Sequence, residues 1–419
     1  MALAEMNGQR IPIKLWAPLQ EVESEALTQL RNVANLPWAQ YVCAMPDVHT
    51  GVGVSIGSVI ALKDAVAPNF VGVDIGCGMD AIQTNLRREE LPKELRKLRL
   101  RIEGFVPCGT GKGHEIPHPA TKDPQYEELW EKVQQAKACN CSPDQAKRQM
   151  GSLGSGNHFI EVCVDKDDCI WIMLHSGSRR FGKETAEFHA RKTKFLPHNH
   201  GINAALGALL RGTIEFDDYW RDMQTAQLYA KLNRQLMMEL VQAAFHAEGF
   251  KISPLTSISC HHNYATEEEH FGEKLIVTRK GAIEARIGQK GIIPGARGRK
   301  SFIVEGLGNP ESLFSASHGA GRIMSRGDAN RKFTLEDLEI SSHGVECYIG
   351  KGVLDEIAEA YKKIETVMAN QADLVTPVVE LRSIINIKGY NDGSRRDRKE
   401  AEKAWKKARR EERDFRQKY

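Results

Sequence analysis

The sequence predicts an α+β fold: one large unit of mixed β-sheets packed face to face, helices outside, and a central cleft fed by the loops at strand ends. Three features carry that expectation. Short runs rich in Val and Ile, broken by glycine, recur early, in the middle and late in the chain. Residues 217–249 carry an apolar stripe with helical period. The composition, 41% hydrophobic and 27% charged over 419 residues, is that of a globular protein able to bury a sizeable core.

Taken in chain order, YVCAMP (41–46), GVSIGSVIAL (53–62) and NFVGVDIG (69–76) read as strands. LPKELRKLRLRIEGF (91–105) alternates charged and leucine positions as a helix does, and residues 106–124 read as a long loop. A helix follows over 125–138, then strands over 158–164 and 169–174. Within 217–249, Met223, Ala226, Ala230, Met237, Val241 and Ala244 fall on one face, and Gly249 suits the C-cap. Strands return at 275–286 and 301–307, and residues 361–372 read as a helix. There is no internal repeat.

Charge and cysteine usage bound the function. From residue 391 onward twelve Lys and Arg stand against seven Asp and Glu, while residues 1–390 hold 46 positive and 48 negative charges. Nucleic-acid binding does not follow from that bulk balance; a polyanion would need a local patch or metal ions. The segment 394–419 is charged nearly all round and cannot bury a face, so it reads as a solvated helix or disordered appendage, with an arm touching RNA phosphates as the competing reading. The nine cysteines follow no disulfide framework, with one C-x-C at Cys139 and Cys141, which fits a reducing compartment. No apolar run approaches the roughly 20 residues a membrane helix needs, and the N-terminus lacks a secretion signal. A cytoplasmic location is expected.

Chemistry-bearing residues collect in a few glycine-rich places. PDVHTG offers Asp47 and His49, and VGVDIGCGM offers Asp74 and Cys77. GSLGSGNHFIE offers Asn157, His158 and Glu161; LHSGSRR offers His175; CHHN offers His261 and His262; SASHGAGR offers His318. A thiol, a carboxylate and several imidazoles form a donor set that transition metals favour. Neither GSLGSGN nor GTGKGHE matches a dinucleotide fingerprint or a P-loop. HGAGR is the better phosphate cradle, because amides around two glycines can approach a phosphate while Arg322 adds a charged fork. The same glycines leave His318 open to attack a phosphorus.

In this order, PDVHTGVGVSIGSV, VGVDIGCGM, GSLGSGNHFIEV, WIMLHSGSR, CHHNY, VTRKGA, GIIPGARG, KSFIVEGLGN, SHGAGR and a late IKG resemble the RtcB family of RNA ligases, from about residue 10 to Gly389. The resemblance implies a single catalytic domain over 1–389, with 390–419 as a charged extension outside the family pattern. It implies joining of RNA 3′-phosphate or 2′,3′-cyclic phosphate ends to 5′-hydroxyl ends, in tRNA splicing or RNA repair, using GTP and two manganese ions. By the same resemblance His318 is the nucleophile that carries GMP, with Asp47 assisting on the RNA side. Asp74, Cys77, His158, His175 and His262 hold the metals, Cys77 bridging both; His262 is preferred to His261 because the family motif reads His-Asn and Asn263 follows it. Asn157 contacts the triphosphate, and Glu161 and Lys388 read the guanine edge. Asn263, Pro294, Gly295, Arg297, Ser301, Gly319, Ala320, Gly321 and Tyr361 complete the nucleotide site, and an archease-like activating protein is a further expected partner.

Two positions depart from the family pattern. GARG (295–298) stands where Gly-Ser-Met-Gly is expected, adding Arg297, and HSGSRR stands where HSGSRG is common, adding Arg180. Both bring positive charge towards the expected nucleotide or RNA path. Ligand softness alone would favour zinc over manganese, so zinc is expected to bind and inhibit. The alternative function is a metal-dependent phosphohydrolase with water as nucleophile.

Overall fold

The computed structural model describes residues 2–137 and 140–390, so Cys139 and all but the first residue of the expected 390–419 extension lie outside the described residues. Two sheets organise the chain. The first runs, in spatial order, β1 (Ala4–Asn7), β2 (Pro12–Leu15), β3 (Ala39–His49), β4 (Ile56–Leu62), β12 (Glu273–Lys280) and β11 (Asn263–His270). Its pairs are antiparallel except β2 with β3. The second runs β10 (Pro254–His261), β6 (Gly78–Arg87), β8 (Cys169–Ser176), β7 (Phe159–Val164), β18 (Val375–Lys388), β15 (Lys300–Gly306) and β14 (Lys290–Ile293), with β17 (Glu346–Cys347) parallel to β18. Two short ladders complete the set: β5 (Ala65–Val66) with β9 (Leu209–Leu210), and β13 (Ala282–Glu284) with β16 (Ser315–Ser317).

The strands form where they do because their side chains alternate between two separate cores. In the second sheet Ile160, Val162, Ile170, Ile172 and Leu174 point outward to helices, while Phe159, Cys163, Trp171 and Met173 point to the other sheet. In the first sheet Cys43, Met45, Val59 and Ala61 meet that inner layer, and Val42, Ala44, Ile60 and Leu62 face α1 (Ser24–Ala34). The result is a face-to-face pair of sheets with a helical layer on each outer side, as the sequence predicts. The outer layer of the second sheet is α3 (Arg96–Phe105), α4 (Glu127–Gln135) and α7 (Ile214–Ala247). The predicted stripe on α7 is buried throughout, and Gly249 follows the helix at φ +90°.

One expected strand is not there. NFVGVDIG folds as a short helix, α2 (Pro68–Val71), followed by a tight loop, because Pro68 sets the first helical turn and Gly72 and Gly76 take φ +88° and +71°. The strand begins only at Gly78. This matters for function. The loop carries Asp74 and Cys77, and Gly76 lies so close to α7 that a Cβ there would sit 2.8 Å from the Gln227 Cα.

The remaining helices are α5 (Pro143–Gln149), α6 (Arg179–Thr193), α8 (Arg326–Lys332), α9 (Leu335–Ser341) and α10 (Ile364–Ala369). Among the described residues no helix is long and apolar enough to cross a membrane.

Ile172 is fully buried between the second sheet and the helices. Ile172→Ala is expected to cost about 2–5 kcal/mol of stability in chemical denaturation, through the lost methyl groups and the cavity they leave.

Candidate active site

Strand ends from both sheets deliver the singled-out side chains to one place. His175 lies on β8 next to its C-terminal residue, His158 precedes β7, Cys77 precedes β6, and His262 lies at the passage from β10 in one sheet to β11 in the other. Their ligand atoms form two triads, Asp74–Cys77–His158 and Cys77–His175–His262, each with all atoms within 4.8 Å of one another. Cys77 belongs to both. Its Sγ lies 3.4 Å from His158 Nε2 and 3.2 Å from His175 Nε2, and His175 Nε2 lies 3.2 Å from His262 Nε2. His261 turns away and packs edge-on against Tyr264, with ring centroids 4.0 Å apart.

The tautomers reveal what this arrangement lacks. His158 Nδ1 lies 2.9 Å from the Leu153 carbonyl, which only accepts, so the Nδ1–H donates there. Its other nitrogen then faces Asp74 Oδ2 at 2.7 Å with a lone pair towards a carboxylate. Lone pair against carboxylate is repulsive, so that contact becomes favourable only when a cation lies between the two groups or the ring takes a second proton. Burial holds the His175 and His262 imidazoles well below their usual pKa, so they stand neutral, as ligands must. Burial pushes the Cys77 thiol well up, and Asp74 pushes it further, so without a cation the sulfur keeps its proton. Burial also raises Asp74, but when His158 carries its second proton, its charge and hydrogen bond outweigh burial and hold the carboxyl at about 2; a metal cation would take the place of that proton. His262 Nδ1 is buried with no hydrogen-bond partner. This donor set fits divalent metal.

Residues with no motif of their own hold the loops in register. Asn233 and Arg234 interrupt the apolar face of α7 and are buried. Asn233 accepts from the amides of Gly151 and Ser152 and donates to the Gly177 carbonyl. Arg234 donates to Asp80, to the Gly76 carbonyl and to the Ser176 carbonyl. One helix turn therefore fixes the segments carrying Cys77, His158 and His175. The only signal for this in the sequence was a polar pair inside an apolar stripe. Gly177 is required by proximity: a Cβ there would lie 2.1 Å from Asp74 Oδ1.

Beside the triads stands a second constellation. His318 Nδ1 lies 2.7 Å from Asp47 Oδ2, and the His318 amide donates to the same oxygen. With Nδ1–H donated to a carboxylate, Nε2 carries the lone pair. The His318 ring lies 4.7 Å from that of His262. Lys362 donates to the Pro46 and Val48 carbonyls on either side of Asp47, and His49 Nδ1 donates to the Asp47 carbonyl.

A cavity of about 790 Å³ joins both constellations to a third region. Asn157, Asn263, Pro294, Gly295, Gly319, Ala320 and Gly321 line it, together with Asp74, Cys77, His175, His262 and His318. Glu161, Arg297, Tyr361 and Lys388 line it as well. Ser301 is not among the lining residues; its hydroxyl accepts from the Gly295 amide beneath the loop. Asn263 also braces the site, donating to the Asp74 carbonyl and accepting from the Gly281 amide.

Two carboxylates in the third region are set apart by their surroundings. Glu356, which no motif singled out, pairs with Lys388 at 2.6 Å, with Arg326 and Arg322, and accepts from the Tyr361 hydroxyl. Burial raises its pKa, yet Lys388 and Arg326 bring it down to about 2. Glu161 accepts from Asn386 at 2.7 Å, and its burial dominates, pushing it up to about 7. Arg180, expected near the path of the ligand, lies on α6 against Glu184 and is not among the lining residues; Arg297 is.

A carboxylate-oriented imidazole beside a buried cluster of metal-capable side chains fits a metal-dependent enzyme. Residues 29–389 match the family described as tRNA-splicing ligase RtcB, and the chain belongs to that family. The RNA-splicing ligase RtcB of Escherichia coli (strain K12) is 44% identical, covering 92% of this chain and 99% of that protein. The RNA-splicing ligase RtcB of Mycobacterium bovis is 31% identical over 86% of this chain, and the tRNA-splicing ligase RtcB of Methanococcus maripaludis 29% identical over 88%.

Glu161 generates a pH prediction. Its folded pKa near 7 lies above the ordinary 4.5, so between those values the folded chain holds a proton that the unfolded chain has released. Its contribution to stability therefore falls as pH rises through that window. Glu161→Gln is expected to flatten this slope, measured as denaturation free energies at steps between pH 4.5 and 8.

Proposed function

We propose that the chain is an RNA ligase that joins RNA 3′-phosphate or 2′,3′-cyclic phosphate ends to 5′-hydroxyl ends, with GTP as nucleotide donor and manganese as metal. Family membership and the ligase names of its relatives support this reading. The observation that carries it is the Asp47–His318 pair, which in the neutral ring leaves the lone pair on His318 Nε2, beside a cavity that Asp74, Cys77, His175 and His262 of the two triads also line. We take residues 1–389 as one catalytic unit.

Asp74, Cys77, His158, His175 and His262 would hold two manganese ions, with Cys77 shared, and bound cations there neutralise phosphate charge and deprotonate the thiol. The chain's own residues do the rest. His318 Nε2 attacks the α-phosphorus of GTP; a P–N bond forms and the P–O bond to pyrophosphate breaks. Asp47 keeps the attacking tautomer and stabilises the positive charge that develops on the ring. An RNA 3′-phosphate oxygen then takes the guanylyl group from His318, restoring its lone pair. The 5′-hydroxyl oxygen attacks the activated phosphate and GMP leaves. A cyclic phosphate is first opened by water to a 3′-phosphate.

In this reading Asn157 and the 319–321 turn contact the phosphates, and Glu161, Lys388 and Tyr361 contact the base. Softness of the donor set favours zinc, which would occupy the cluster and inhibit. The resemblance adds an archease-like activating protein as partner. The phosphohydrolase alternative leaves the Asp47–His318 pair without a covalent role.

Incubation with α-labelled GTP and manganese is expected to trap acid-labile GMP on the wild-type chain and none on His318→Ala, which also fails to seal broken RNA ends. A His318→Ala protein that still seals contradicts the assignment. Asp47→Asn is expected to slow labelling by about 10²-fold or more in single-turnover assays, because the wrong tautomer is then favoured.

A further inference from the structure

Arg297 is a buried cation that forms no ion pair among the described residues. It is 4% exposed, its Nε has no hydrogen-bond partner, and its one hydrogen bond among the described residues is a long one, 3.4 Å from Nη1 to the Tyr348 carbonyl. A buried guanidinium left so poorly matched is costly unless something else meets it. Neither nearby carboxylate hydrogen-bonds it. Glu356 is taken by Lys388, Arg326 and Arg322, and Glu161 accepts from Asn386. Arg297 nevertheless lines the cavity, held there by the turn in which the Arg299 amide donates to the Ala296 carbonyl.

Its position within the cavity narrows what it can meet. Arg297 is among the main electrostatic influences on Glu161, Lys388 and Cys347, in the third region, whereas the main influences on the cysteine, aspartate and histidines of the triads are one another, His318, Arg179, Arg234 and Lys388. Phosphates drawn to the triads and His318 therefore lie at the other end. At Arg297's end a carboxylate acceptor, Glu161, stands with the guanidinium donor. That combination matches a base whose one edge donates and whose next edge accepts. A 2-amino-6-oxopurine, guanine, does so, with N1–H and the exocyclic amine on one side and O6 and N7 on the other; adenine offers an amine in place of the O6 acceptor.

We propose that Arg297 is a specificity-determining residue of this chain, donating from its unsatisfied guanidinium to the N7/O6 edge of the bound guanine while Glu161 takes the opposite edge. The proposal rests on reading the cavity as the nucleotide site.

The test compares GTP with 7-deaza-GTP, which lacks only the N7 acceptor, as donors for GMP labelling of the full-length chain. The wild type is expected to show a KM about tenfold lower for GTP than for 7-deaza-GTP, the size of one charge-assisted hydrogen bond. In Arg297→Met the KM for GTP rises to that of the analogue and the ratio falls to near one, with kcat changed less than KM. Arg297→Lys, which keeps the charge without the fork, gives an intermediate ratio and carries the test if the Met variant melts early. Retention of the full wild-type ratio in both variants overturns the role of Arg297 while leaving the nucleotide site intact. Absence of labelling from either nucleotide in the wild type overturns the nucleotide reading itself, and this proposal with it.

Discussion

The constraint on which the site depends is the mutual repulsion of its own donor atoms. Cys77 Sγ, the facing nitrogens of His158, His175 and His262, and the Asp74 carboxylate converge within hydrogen-bonding distances, and the Leu153 carbonyl has claimed the Nδ1 proton of His158. Protein groups alone relieve that repulsion only by keeping protons on Cys77 and on both nitrogens of His158. Cations would replace those protons, and the shared sulfur makes the two triads one unit. Everything around the cluster serves to keep it assembled: the loop turned by Gly72 and Gly76, the missing side chain at Gly177, and the two polar residues that α7 inserts into its own apolar face.

The cavity is chemically graded along its length. At one end lie two imidazoles, His175 and His262, kept neutral by burial, and a third aimed by Asp47; at the other lie carboxylates and cations in unequal balance. Glu356 is saturated with positive partners and is a scaffold for Lys388, Tyr361 and Arg322. Glu161 has one strong partner and so has capacity to bind a donor. The same residue type in two surroundings thus takes two tasks, which is how a polar pocket can be both rigid and selective.

Much of this was legible in the sequence because the relevant physics is local. Alternating apolar strands at 158–164 and 169–174 and the stripe of α7 follow directly from side-chain period, and glycine-flanked Asp, Cys and His mark loops that carry chemistry. The failure at NFVGVDIG has a local cause: β-branched residues suggested a strand, and Pro68 with two positive-φ glycines overrode them. Strand β18 went unread because Pro377 and alternating charges mask it, although Ile384, Ile385 and Ile387 anchor it in the core. Glu356, Asn233 and Arg234 could not be found by motif at all, because their roles arise largely from distant contacts, up to 158 residues apart in the chain. Whether Arg297 or Arg180 lines the cavity was likewise a question of side-chain direction that only tertiary packing settles.

The central claim is that one thiolate serves two metal ions. Anomalous diffraction at the manganese edge from crystals soaked with manganese tests it most directly. Two peaks, both within bonding distance of Cys77 Sγ, with His158 and Asp74 at one and His175 and His262 at the other, are the expected result. A single peak, or two peaks neither of which contacts the sulfur, would contradict the account.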